Sequence, residues 1–202
     1  MPRAVPRSPR LTTATADVAS VPASGPPLTP QLTPAWLLAA VGLLATAFIA
    51  GACWTAGHVH ADGSLQTVAR FLHLAFLTVG FGSVLAVDWF AVLWLTGRRP
   101  LAGVLDTACA LQTPIWAGLG GLVVTGLFLR PDLGSTLTLV KLGLVVAVTL
   151  NGLWAHRLGQ LLDGFRDSAV PRGLLVRSGV AATVSQTGWW GACLIGFLNS
   201  QS

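Results

Sequence analysis

The chain carries few side chains able to do chemistry, and most of them stand inside apolar sequence. His73 and Asp88 lie within RFLHLAFLTVGFGSVLAVDWFAVLWLTGRR, which runs from Arg70 to Arg99. Lys141 opens a second such run, KLGLVVAVTLNGLWAH, and is the sole lysine of a chain without Glu or Tyr. A neutral imidazole nitrogen can ligate haem iron, and an ammonium can hold a carboxylate such as a haem propionate or give up a proton. An aspartate near the centre of a bilayer costs roughly 2.5 to 3.5 kcal/mol, so such groups turn towards other helices rather than lipid. Fifteen residues separate His73 from Asp88, which puts them about 60° apart around a helix. Leu77, Gly80, Val84 and Ala91 fall on the same side, and that side is expected to face the inside of a bundle. Each residue also has a plainer role. His73 can bond to a neighbouring helix or to headgroups, and Lys141 can snorkel to the interface. His58 and His60, in H-V-H beside Asp62, could take Cu or Zn from outside or form part of a solvated loop. His156, beside Arg157, reads as an inner-surface anchor.

The elements that must position these residues follow from composition. With 202 residues, 53% hydrophobic and only 9% charged, and a mean hydropathy of +0.70, the chain is excluded from the ordinary soluble class, where charge runs near 25%. The net charge of +5 does not imply a nucleic-acid partner, because the basic residues sit in short segments beside the apolar runs. The lipid bilayer is the expected partner. About 20 apolar residues span about 30 Å of hydrocarbon as a helix, and five runs qualify. The expected fold is all-α, a polytopic bundle of five transmembrane helices at about 35–57, 71–96, 104–129, 136–156 and 178–198, with helices two to five as a four-helix core. Residues 1–34, holding eight of the twelve prolines, are expected to be a disordered cytoplasmic tail, and 199–202 a short outer tail. Pro114 should kink the third helix. Cys53, Cys109 and Cys193 fall in apolar runs with no C-x-x-C, which suggests buried small hydrophobes. Gly118, Gly121 and Gly126 suit close helix contact and permit a homo-oligomer.

Charge and depth add constraints. With the amino terminus inside, the inner segments collect nine arginines (3, 7, 10, 98, 99, 157, 166, 172 and 177) against Arg70 and Arg130 outside. This is the asymmetry that orients a plasma-membrane protein with its carboxyl end outside. At 1.5 Å per residue, His73 and Lys141 occupy nearly one outer level, whereas His156 lies about 25 to 30 Å from His73. One iron cannot take both histidines. Asp88, Gln112, Asn151 and Gln186, one on each of helices two to five, share a level roughly 9 to 12 Å from the inner boundary. They are expected to form one interhelical hydrogen-bond cluster, as structural glue or as a proton or solute relay.

The Leu-His start of one helix (LHLAFLTVGFG), the segment from Trp116 to Leu127 ending in TGL, and the helix VKLGLVVAVTLNGLWAH together resemble small bacterial multi-pass membrane domains. These are the CopD-type copper-resistance and HemJ-type protoporphyrinogen oxidase group, and the resemblance covers about residues 70–157. It implies a bacterial cytoplasmic membrane, haem b on His73 and a catalytic role for Lys141. Asp88, the proline-rich tail and the GRRP turn have no counterpart there, and no second iron ligand is evident. Three readings are therefore carried forward: a membrane protein of structural or accessory role, a b-haem redox protein or porphyrinogen-oxidase-like enzyme using His73 and Lys141, and a protein handling copper or a small solute. The orientation has a direct check. Cysteines placed in the 58–70 and 97–103 segments should be labelled by an impermeant reagent from opposite sides of sealed vesicles.

Overall fold

The computed structural model describes residues 32–58 and 62–201. The expected tail falls almost entirely outside that set, as does His60. Among the described residues there are five α-helices and no strand: α1 (Ala35–Ala56), α2 (Gly63–Leu95), α3 (Leu101–Gly126), α4 (Thr136–Asp163) and α5 (Arg172–Asn199). A single 3-10 turn, Leu127–Leu129, prolongs α3. The fold is all-α. The first four helices are long and apolar enough to cross a membrane, while α5 falls short on composition.

Helices outrun the apolar segments at several ends, each for a local reason. α2 begins at Gly63 because Asp62 caps it: one carboxylate oxygen accepts the Leu65 N–H at 2.7 Å and the Ser64 hydroxyl at 2.9 Å. These bonds hold the Asp62 carboxyl below its ordinary range, the Leu65 bond contributing most. α4 continues to Asp163, so the polar segment read as a loop over 157–177 contracts to residues 164–171. Its polarity is that of a helix standing beyond the apolar run, with Gln160 turned to the rest of the protein. α3 passes through Pro114 without interruption of its helical assignment.

Two close hairpins make up the bundle. In the α2–α3 hairpin Gly80 and Gly118 meet backbone to backbone, and a Cβ on Gly118 would collide with Gly80 Cα and N. One turn on, the Phe76 ring fills the notch left by Gly121. The α4–α5 hairpin repeats the device: Val148 lies in the notch at Gly188 and Leu144 in the one at Gly191. G-x-x-G at 118–121 and again at 188–191 thus receives residues one turn apart from the preceding helix. The hairpins meet through side chains. Phe81 stacks on Trp189 at 5.5 Å and 9° and meets Trp190 edge-on at 5.0 Å and 85°. The core cluster of Phe81, Val84, Leu119, Val148 and Trp189 draws on all four helices. A smaller cluster, Leu101, Val104 and Leu105 with Ala91 and Leu162, closes the end that carries the α2–α3 turn. α1 leans on α4, where Gly42 admits Leu150 and Leu153.

The face expected from His73 and Asp88 is the inward one, with Gly80 and Val84 buried and Leu77 against the core. The cysteines differ from expectation. Cys109 is exposed and Cys53 half-buried, whereas the half-buried Cys193 packs against the core cluster. Substituting Gly118 by alanine should lower thermal stability in detergent by about 1 to 3 kcal/mol, since the obstructing atoms are backbone. Gly120→Ala, where a Cβ meets nothing within 4 Å, should be neutral or slightly stabilising.

Candidate functional site

At the end of the bundle that carries the α3–α4 turn, α2 and α3 bring His73 to Thr125. The Thr125 hydroxyl donates to the Gly121 carbonyl at 2.6 Å, as threonines in helices commonly do, so its proton is committed. Its oxygen can then only accept, and it accepts from His73 Nδ1–H at 2.8 Å. In a neutral ring this leaves Nε2 as the bare nitrogen. Thr125 is itself buried, and Gly126 stands beside the ring, 3.7 Å from Cε1 to where its Cβ would be. Lys141 of α4 is half-buried and within electrostatic range of the imidazole, at the same end of the bundle.

The four polar residues expected at the deeper level separate into three contacts. Gln186 of α5 donates through Nε2 to Asp88 Oδ2 of α2, and its Oε1 accepts the Trp190 indole N–H at 3.0 Å. Because an indole can only donate, the Gln186 amide is fixed with its nitrogen towards the carboxylate. Asn151 of α4 donates to the Ala181 carbonyl of α5 at 2.8 Å. Gln112 of α3 lies 2.7 Å from His156 Nδ1 of α4. No hydrogen bond joins these three contacts to one another. Gln112 pairs with His156, five residues or about 7.5 Å further along α4 than Asn151, so the four do not meet at one level.

Further in, His156 continues to Gln160, whose Nε2 is 3.1 Å from His156 Nε2 and donates to Thr33 Oγ1 at 2.8 Å. The Thr33 backbone N–H donates in return to Gln160 Oε1 at 3.0 Å. Beside this relay Arg166 donates to Asp106 at 2.8 Å and to Asp163 at 2.5 Å. Those two carboxylates, Asp106 first, hold the guanidinium above even its ordinary high value. The expected anchor, His156, is thus a link between helices.

His58 places Nδ1 2.8 Å from the Trp54 carbonyl and lays its ring against that indole at 4.4 Å. Among the described residues no three His, Cys or Asp side chains converge as a metal group.

Compared with known proteins, the chain matches no family model, no curated protein and no solved structure. Fold and site together define a helical membrane-protein bundle whose polar side chains are matched in pairs across its seams.

Thr125, Gln160, Thr33 and Trp190 are the partners that sequence reasoning missed. One signal was present. The shift of 68 positions that carries Phe76 to Leu144 and Gly80 to Val148 also carries His73 to Lys141 and Asp88 to His156. The two hairpins thus hold ionisable side chains at matching places. Removing one partner of the Asp88–Gln186 pair, as in Asp88→Leu, should destabilise the protein more than Asp88→Asn, which keeps an acceptor oxygen. A double-mutant cycle with Gln186→Leu, read by thermal unfolding, should return a coupling on the order of 0.6 to 1.7 kcal/mol.

Proposed function

We propose that this chain is an integral plasma-membrane protein of structural or accessory role, crossing the bilayer five times with its amino terminus inside. The observation that carries the role is the matching of polar groups. Among the described residues no buried side-chain nitrogen or oxygen lacks a hydrogen-bond partner. The fifth crossing is supported by α5 running the length of α4. Ala181 lies beside Asn151, Gly188 beside Val148, Gly191 beside Leu144 and Asn199 Nδ2 donates to Thr138 Oγ1 at 3.4 Å. Gly188 and Gln186 lower the hydropathy of α5, and both face other helices rather than lipid. The orientation rests on the loops alone. Nothing basic follows Arg177, so the count of arginines on each side is the same whether or not α5 crosses.

A second reading is favoured by one specific observation, the open Nε2 of His73. Metal-ligating histidines donate their other ring N–H to a fixed acceptor, and Thr125 supplies one. The residues present fit a b haem held by a single protein ligand, His73, with Lys141 as the cation for a propionate. Such a group would bring one-electron chemistry to the outer end. What the chain itself contributes is orientation of the imidazole and a positive charge beside it. Detergent-purified protein supplied with haem separates the readings. A Soret band that disappears in His73→Ala and shifts in Thr125→Val supports the second. A protein that binds no haem, yet loses stability in both variants, supports the first.

A further inference from the structure

The inner relay fixes its own proton positions. Thr33 N–H can only donate, so Gln160 must turn Oε1 to it and Nε2 to Thr33 Oγ1. The second Nε2 hydrogen then points at His156 Nε2, 3.1 Å away, which must be a lone pair. The ring proton is left on Nδ1, and the Gln112 amide, whose Nε2 stands 2.7 Å away, must be turned to present its oxygen instead. A neutral imidazole satisfies every group in the chain Gln112, His156, Gln160, Thr33. A protonated one does not, because Nε2–H would face the Gln160 NH2. Turning the Gln160 amide to accept it would set that NH2 against the Thr33 N–H. With the amide unturned the His156–Gln160 bond is lost, and with it turned the Thr33 N–H loses its acceptor, so accepting the proton and holding the Thr33 N–H exclude one another.

We infer that His156 is a proton-operated latch between the residues leading into α1 and the end of α4, holding Thr33 against α4 when neutral and releasing it when charged. Imidazole is the side chain whose ordinary titration falls between about pH 5 and 8, the range a cell interior can sample. The charged and titratable groups on the elements at this end are Arg157 and Asp163 of α4, Arg166 and Asp167 of the segment after it, Asp88 of α2, Asp106 of α3, Arg98 and Arg99 of the preceding turn, and Arg172 and Arg177 of α5. Asp106 and Asp163 are both held by Arg166, and none of these groups is hydrogen-bonded to the imidazole. The described part of α1 offers nothing ionisable before Cys53.

The test is hydrogen–deuterium exchange of the Thr33 amide in the full chain in lipid nanodiscs, expressed as protection relative to the intrinsic rate at each pH. In the unmodified protein protection should fall at least tenfold between pH 8 and pH 5.5. His156→Gln, which offers Gln160 an oxygen at any pH, should keep the protection and lose its pH dependence. Protection that is equal at both pH values in the unmodified protein overturns the latch without recourse to any variant. So does a pH dependence that survives in a folded His156→Gln protein.

Discussion

In hydrocarbon no water stands in for a missing partner, and that single condition shapes how this bundle is held together. An unmatched amide or carboxyl costs more there than most pairs contribute, so the polar side chains that turn inward have to find one another. Gln186 with Asp88, Asn151 with the Ala181 carbonyl, and Gln112 with His156 are three solutions to the same condition. Each joins two helices. Together they fix which faces meet and at what rotation, something that apolar packing between lipid-like surfaces specifies only weakly.

The apolar contacts work at closer range and within the hairpins. Where Gly80 meets Gly118, two backbones approach more nearly than any side chain would permit, and dispersion between them replaces the missing hydrophobic drive. Across the hairpins the spacing is set instead by large rings, Phe81 against Trp189 and Trp190. On α5, Gly188 and Gly191 are turned to α4 and Gln186 to α2.

Much of the architecture was legible from residue order. The inward face of α2 and the apolar lengths follow from periodicity and rise, which depend on the chain alone. How one helix slides and turns against the next does not. That is why Asp88, Gln112, Asn151 and Gln186, expected at one level, separate into three contacts, with Gln112 meeting His156 five residues beyond Asn151. Helix ends at Asp62 and Asp163 escaped because a cap and a protruding polar turn leave no mark in hydropathy. Thr125 was invisible for a different reason. A threonine in a glycine-rich run says nothing about where its hydroxyl proton goes until the carbonyl one turn earlier is seen to take it.

The division into two glycine-notched hairpins also bears on how the molecule is made. Each hairpin carries its closest contacts between consecutive helices, so each can settle as soon as its second helix leaves the insertion machinery, before the other has been synthesised. The aromatic and polar seam can form only afterwards, by sideways docking in the plane of the lipid. Assembly order is thereby written into the chain as a difference in contact distance.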